Sequence, residues 1–180
     1  MRVLLVLLLS LVVVWAEEAA TRSWLIPGTQ LAVVAPAEWI ALSDHAGATV
    51  VLRSGLLAGR TGDAAERARG IIAVVLQPVK DEGPLAFAIR CRLDLERTVT
   101  GLKLGTAEDL VLGGWSWRKQ PYRMQVGQFT FAQELYATVI NGTGICITCS
   151  SSEEGMVAWR AAFDAAIASL GRSRLTIDLK

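Results

Sequence analysis

Histidine and cysteine are scarce in this sequence, and their scarcity limits the chemistry that the chain can support. The single histidine lies in Ser43-Asp44-His45. Three adjacent side chains point in different directions and do not converge as a catalytic triad, so His45 is typical of an exposed turn. A zinc site on Cys146 and Cys149 would need two further ligands, and only Cys91 and His45, both distant, remain. The sequence therefore predicts no metal site, no cofactor and no histidine-dependent catalysis.

The three cysteines, Cys91, Cys146 and Cys149, allow one disulfide with a thiol left over, or none. Cys146-Ile-Thr-Cys149 has the C-x-x-C spacing of redox sites, which lie at a helix N-terminus. Residues 144–150 instead have the composition of a strand, whose alternation would send the two thiols to opposite faces. We therefore expect buried structural cysteines, one of them open to bridging with Cys91. A thiol-dependent enzyme using Cys146/Cys149 is the less favoured alternative.

Neither sign of charge is in excess. The chain has 18 Lys and Arg against 17 Asp and Glu, a formal net charge of +1. Such a chain has no general attraction for nucleic acid or for an anionic membrane. The adjacent carboxylates Glu108-Asp109 and Glu153-Glu154 are typical of a turn and a helix N-terminus. No spacing supplies the opposed carboxylates of a paired acid and base.

One long apolar run opens the chain. Arg2 precedes the apolar residues 3–15, and Val14-Trp15-Ala16 provides a small-residue cleavage context before Glu17. This order predicts a cleavable export signal over residues 1–16 and a periplasmic or extracellular location. The run is shorter than the ~20 residues of a membrane-spanning helix. The alternative is an uncleaved leader, which would be the chain's only membrane contact.

The remaining chain has the length of one domain. We expect residues 17–180 to form it, with a core over residues 22–170 and a C-terminal strand or tail at 171–180. Asn141-Gly142 is the dipeptide that a two-residue hairpin turn requires. It also begins a glycosylation sequon, which matters only in a eukaryotic secretory pathway. Strands are predicted at residues 31–35, 49–52, 71–76, 115–124, 128–140 and 143–149.

Residues 84–99 carry conflicting signals. Apolar residues from Ile89 to Leu95 alternate with charged ones, which favours a strand. Against this, Pro84 suits the first turn of a helix, and Leu85, Ile89 and Leu93 are spaced by four. Periodicity alone favours the strand.

The clearest helix signal lies near the C-terminus. Ser151 stands three residues before Glu154, the spacing of a capping box. Apolar residues then recur at helical spacing as far as Leu170, and Gly171 follows. A single helix is predicted here.

The order of these signals resembles the PsbP/DcrB-like (Mog-like) family of small α/β envelope and extrinsic proteins. Trp24-Leu-Ile-Pro27, the strand up to Pro36 and then Trp39 are similar to the family's opening. Residues 102–114 resemble its short strand, acidic turn and glycine pair, and three antiparallel strands and a helix follow. The resemblance spans residues 22–170.

The resemblance implies an α+β fold in which an antiparallel sheet is flanked by helices on both faces, an α/β/α sandwich. It places a helix over residues 84–99, against the periodicity. The family includes extrinsic photosystem subunits, bacterial envelope proteins and a nuclear GTPase-binding protein. It therefore implies binding or scaffolding, with no shared active site.

An aromatic and basic cluster at residues 115–123 is the candidate binding site. Trp115 and Trp117 share one face of a predicted strand, with Arg118 and Arg123 close behind them. Aromatic residues and arginine are enriched at protein interfaces. The alternative is that the tryptophan face packs under a helix while the arginines are solvated. We expect one indole inside the protein and one at the surface.

These observations favour an exported, non-catalytic protein that binds or stabilises a protein partner in the cell envelope. A small-ligand carrier, with its ligand between the sheet and a helix, is the second alternative.

Overall fold

The computed structural model describes residues 20–42 and 47–170. The predicted leader at 1–16, the turn with His45 and the C-terminal strand or tail at 171–180 lie outside the described residues. The elements, in chain order, are β1 (Thr21–Leu25), β2 (Ala32–Pro36), β3 (Ile40–Leu42), β4 (Val50–Arg53), α1 (Gly62–Arg67), β5 (Ile71–Pro78), α2 (Pro84–Thr98), β6 (Lys103–Leu104), β7 (Glu108–Leu112), β8 (Trp115–Val126), β9 (Phe129–Ile140), β10 (Thr143–Ser152), α3 (Glu153–Ala158) and α4 (Arg160–Ser169).

Eight of the described strands form one antiparallel sheet, in the order β3-β4-β5-β10-β9-β8-β6, with β7 also paired to β8. Strand β8 is long enough for β6 and β7 to pair with different parts of it. The hairpin of β1 and β2 is a separate two-stranded sheet. The long strands β10, β9 and β8 are neighbours in the large sheet.

Helices cover both faces of the large sheet, as the resemblance implies. On one face, α2 packs against β8 and β9. On the other, α3 and α4 pack together with the β1–β2 hairpin. The α2 face buries a smaller cluster of side chains, Phe87, Ala88, Cys91, Tyr122, Leu135, Ala137 and Cys146. The opposite face holds the main core, which includes Trp39, Leu52, Ile72, Trp117, Ile147, Phe163 and Leu170.

The strand that periodicity favours at residues 84–99 is wrong, and the helix implied by the resemblance is confirmed. Pro84 begins α2, where its missing N–H costs nothing because the first helical N–H groups have no partner inside the helix. Phe87, Ala88 and Cys91 form the buried stripe against the sheet. Arg92, Asp94 and Glu96 are exposed, so these charged residues of the alternating segment lie on the solvent side of the helix.

The predicted C-terminal helix is two helices that meet at Trp159. The indole Nε1 of Trp159 donates a hydrogen bond to the carbonyl of Ala68, 2.8 Å away, and its ring packs edge to face with Trp39. The predicted cap at Ser151 is wrong, because α3 begins at Glu153, one residue later than a cap at Ser151 requires. Ser152 is the N-cap instead, and its Oγ accepts a hydrogen bond from the N–H of Gly155.

The hairpin turn is confirmed. Asn141 and Gly142 join β9 to β10 with φ angles of 50° and 74°, the left-handed conformation that this dipeptide tolerates. None of the helices in the described part of the chain has the length and apolar content needed to cross a bilayer.

Candidate functional site

Trp115 and Trp117 lie on one face of β8 but in different environments. Trp117 is 2% exposed and belongs to the main core, whereas Trp115, at the start of the strand, is 39% exposed. The expectation of one buried and one exposed indole is confirmed.

The structure does not bring the two predicted arginines to the exposed indole. Alternation places Arg118 on the α2 face, opposite to Trp115, where its Nη1 lies 2.7 Å from a carboxylate oxygen of Asp109. Arg123 lies near the other end of β8, about 26 Å along an extended strand from Trp115. Its Nε lies 2.6 Å from an oxygen of Glu153. The four residues therefore do not form one continuous strip.

A groove does lie on the α2 face, between the first turns of α2 and the β7–β8 hairpin. Leu85 and Val111 line it from α2 and β7, and Ser116 and Arg118 line it from β8. We call it the α2–β7 groove. Its volume is about 280 Å³. A hollow of about 150 Å³, which also has Arg118 in its wall, lies against Ile89.

The side chains around the α2–β7 groove are apolar and unusually exposed. Leu85, Ile89 and Leu93 are 56%, 41% and 37% exposed and follow one another at four-residue spacing along α2. Val111 is 75% exposed on the facing strand. Leu85 and Val111 line the α2–β7 groove together. Exposed apolar side chains that lie together mark a site of interaction more often than scattered single residues do.

The arginines beside the groove are neutralised within the chain. Besides the Arg118–Asp109 pair, Arg92 lies 3.5 Å from Glu96. These pairs leave the groove without a strong charge of either sign. The groove is therefore suited to apolar side chains of a binding partner.

Strand β7, on one side of the groove, is an edge strand among the described residues. Within the described residues, β7 pairs with β8 alone, so its outer edge has no strand partner. An unpaired edge presents backbone N–H and C=O groups that can accept another strand. The groove thus combines an apolar slot with a free strand edge.

A larger cavity of about 680 Å³ lies at the end of the sheet where Trp115 is exposed. Its wall is uncharged and rich in glycine. The residues that line it are Gly28, Thr29, Gln30, Leu31, Gly113, Gly114, Trp115, Ile140, Asn141, Thr143, Ile145 and Leu170. This volume falls within the usual range for small-ligand sites.

A buried charged cluster under α4 was missed by the sequence analysis. Glu134 of β9 is 8% exposed, and its carboxylate lies 3.1 Å from Nζ of Lys119 and 2.9 Å from Nη1 of Arg160. The hydroxyl of Tyr136 donates a hydrogen bond to it at 2.9 Å. The signal available in the sequence was that Glu134 is the one charged residue in the predominantly apolar and aromatic segment 129–140.

The cluster stabilises the ionised form of Glu134. Burial opposes the charge on Glu134, but the hydrogen bonds from Arg160, Tyr136 and Lys119 outweigh it and hold the pKa below its ordinary value. Burial raises the pKa of Tyr136, and the adjacent carboxylate raises it further. Glu134 and Tyr136 are hydrogen-bonded to each other, and Glu134 also contacts Arg160 at the start of α4. The cluster therefore links α4 to the sheet and does not present a free acid or base.

The two thiols of the C-x-x-C segment face opposite layers, as strand alternation predicts. Cys146 belongs to the cluster under α2, and Cys149 belongs to the main core. Burial raises the pKa of Cys149. This arrangement does not form a redox C-x-x-C site. In residues 20–42 and 47–170 no three His, Cys, Asp or Glu side chains form a group that could hold a metal ion.

Solved structures share the fold, although no protein-family model and no curated protein matches the chain. Cyanobacterial PsbP (CyanoP) from Synechocystis sp. PCC 6803 is 18% identical with a TM-score of 0.60, and the match covers 86% of this chain and 94% of that chain. LpqN, involved in cell envelope biogenesis of Mycobacterium tuberculosis, is 13% identical with a TM-score of 0.54, covering 85% and 84%. A mutant of the protein Mog1 is 10% identical with a TM-score of 0.51, covering 86% and 88%. At such identities the likeness concerns architecture, and the chain has the PsbP/Mog1-like fold.

Proposed function

We propose that the chain is an exported, non-catalytic protein that binds a protein partner in the cell envelope through the α2–β7 groove. The observation that carries this proposal is the position of Val111. It is 75% exposed on the edge strand β7, whose outer edge pairs with no strand among the described residues, and it faces the exposed Leu85 of α2 across a groove. Leaving these side chains in water is unfavourable, and a partner that covers them regains that free energy.

The occupant that fits is an extended segment of the partner. Its backbone would pair with the free edge of β7 and extend the sheet. Its alternate side chains would point to one face, where apolar ones would enter the groove between Leu85 and Val111. Because the neighbouring arginines are already paired, apolar residues fit the groove better than acidic ones.

Export is supported by the sequence of residues 1–16 and by the neighbours in fold, since LpqN takes part in cell envelope biogenesis. The mass of the protein recovered from the source cells tests this part. Cleavage after Ala16 gives a chain that begins at Glu17. A recovered protein that retains residues 1–16 would contradict cleavage.

The absence of catalysis is supported by the state of the reactive groups. Cys146 and Cys149 are separated by the sheet, and Glu134 is saturated by three partners. The two thiols therefore do not form a C-x-x-C redox pair, and Glu134 is not free to act as an acid or a base.

Position-specific cross-linking tests partner binding. A photo-cross-linking residue replaces Val111 in one variant and Val157 in a matched control. Val157 is 79% exposed and lies on α3, on the opposite side of the sheet. Irradiation of intact cells should join a partner to position 111 and not to position 157. The cross-linked partner peptide should be an extended segment with alternating apolar residues. Equal capture at both positions would contradict the groove.

A second candidate function is carriage of a small ligand in the cavity of about 680 Å³ beside Trp115. Native mass spectrometry of protein purified from its source would reveal a bound compound. A Thr143→Phe variant, which adds bulk to the cavity wall, should lose that compound, whereas Thr130→Phe at an exposed position of β9 should retain it. Recovery of an empty wild-type protein would contradict carriage.

A further inference from the structure

Two thiols meet between α2 and the sheet. The Sγ atoms of Cys91, on α2, and Cys146, on β10, lie 3.2 Å apart and share a hydrogen bond. Both residues are free thiols in this structure and both are buried. Cys146 lies in the middle of the sheet, paired in register with Val75 on one side and Ala137 on the other.

The surrounding packing holds these thiols against each other. Phe87 and Ala88 on α2 and Leu135 and Ala137 on β9 pack around the pair in one hydrophobic cluster. The sheet separates this cluster from Cys149, which is fully buried in the opposite layer. Three cysteines allow three disulfide pairings, and the fold supports the Cys91–Cys146 pairing.

We propose that Cys91 and Cys146 are a disulfide-forming pair and that Cys149 remains a thiol. The oxidant is a small disulfide of the glutathione class, which an oxidising compartment outside the cytosol supplies. This pairing is independent of partner binding at the α2–β7 groove.

The reaction proceeds by two exchanges. The Cys91 thiolate attacks one sulfur of the oxidant, so that a mixed disulfide forms and one thiolate leaves. The Cys146 thiolate then attacks Sγ of Cys91, and the second half of the oxidant leaves as a thiolate. In total, two protein thiols lose two electrons and two protons, and one oxidant disulfide becomes two thiols.

Cys91 is suited to the first attack. The hydrogen bond from Cys146 outweighs the effect of burial and, together with the nearby Arg90 guanidinium, lowers the pKa of the Cys91 thiol. The same hydrogen bond and burial raise the pKa of Cys146. Thiolate therefore forms first on Cys91, the nucleophile, and Cys146 resolves the mixed disulfide.

The bond would connect residues that are 55 positions apart and would fasten α2 to the sheet. A cross-link that closes a long loop reduces the freedom of the unfolded chain, which stabilises the folded state. We expect the oxidised protein to melt at least about 5 °C above the reduced protein.

The test uses the folded protein in buffers with a graded ratio of oxidised to reduced glutathione, followed by acid quenching, alkylation in denaturant and intact mass measurement. The proposal predicts a species that has lost two hydrogen atoms and takes up one alkyl group, with peptide mapping showing a Cys91–Cys146 link. Its melting temperature should fall on addition of dithiothreitol. Three alkylated thiols at every ratio, a glutathione adduct that does not resolve, a bond to Cys149, or no difference in melting temperature would overturn it.

Single variants provide the controls. Cys149→Ser should form the bond as the wild type does, whereas Cys146→Ser should stop at a glutathione adduct on Cys91. Peptide mapping of the oxidised wild-type protein identifies the bonded cysteines directly. The pairing can therefore be decided even where a serine variant folds poorly. Loss of the bond in a folded Cys149→Ser protein would contradict the assignment.

Discussion

Trp115 and Trp117 stand two residues apart on the same face of β8, and the main core covers Trp117 while Trp115 is open to solvent. The end of the strand explains the difference. Both are paired in register with β7, Trp117 with Leu110 and Trp115 with Leu112, but of the two indoles Trp117 alone lies inside the main core. Trp115 lies at the first position of β8, beside the large cavity.

The two tryptophans should therefore respond differently to truncation. Trp117→Ala leaves a large void in the core and should lower the free energy of unfolding by about 3–5 kcal/mol. Trp115→Ala removes a partly solvated side chain and should cost about 1 kcal/mol or less. Denaturant unfolding of both variants measures the difference. Equal losses would mean that the two indoles share one environment.

Glu134 should make a pH-dependent contribution to stability. At pH 7, Glu134→Gln weakens hydrogen bonds to two cations and a tyrosine, and should cost about 1.5–3 kcal/mol. The exposed Glu153, which is paired with Arg123, provides the matched control, since Glu153→Gln should cost about 1 kcal/mol or less. Chemical denaturation of the two variants against wild type measures both values.

The direction of the pH effect follows from the lowered pKa of Glu134. In the unfolded chain a glutamate titrates at about 4.3, and in the folded protein Glu134 titrates below its ordinary value. Its stabilisation is fully present above the unfolded pKa and is lost as pH falls through the folded pKa. The difference between wild type and Glu134→Gln should shrink below about pH 4.3. A difference that stays constant down to pH 2 would contradict the ionised cluster.

Gly144 should not tolerate a side chain. A Cβ at this buried position of β10 would overlap the ring of Phe87 on α2. Gly144→Ala should cost about 1–3 kcal/mol, because the overlap pushes α2 away from the sheet. Gly55, where a Cβ meets no atom within 4 Å, is the control and should tolerate alanine. A neutral Gly144→Ala would show that α2 is not held closely against β10.

The sequence predicts those parts of the fold that local chemistry determines. Asn141-Gly142 sets its own backbone conformation, so the hairpin between β9 and β10 can be predicted from two residues. The separation of Cys146 from Cys149 follows from strand alternation alone. Strand β5 is recognisable because apolar residues, four of them β-branched, fill residues 71–76.

Tertiary contacts determine what the sequence leaves ambiguous. The alternation at residues 89–96 indicates a strand, but burial of Phe87, Ala88 and Cys91 against the sheet makes this segment a helix. Leu85, Ile89 and Leu93 remain outside that contact, and their four-residue repeat is visible in the sequence. It includes Leu85, which lines the groove from α2. Val111, which lines the groove from β7, has no such signal, because its role depends on where β7 joins the sheet.

A matched pair of lysine substitutions tests whether a partner segment occupies the α2–β7 groove. Val111→Lys places a cation at the free edge of β7, which disfavours both strand addition and apolar contact. Val157→Lys makes the same change at a similarly exposed valine on the other side of the sheet. Because both side chains are solvated, neither variant should lose more than about 0.5 kcal/mol of stability.

The most direct measurement is the affinity of each tagged protein for the partner segment identified by cross-linking, determined by titration calorimetry at fixed salt. We predict that Val111→Lys weakens binding at least about 30-fold, equivalent to about 2 kcal/mol, and that Val157→Lys binds within about twofold of wild type. Unchanged affinity in a folded Val111→Lys protein, or an equal loss in both variants, would contradict the groove as the binding site.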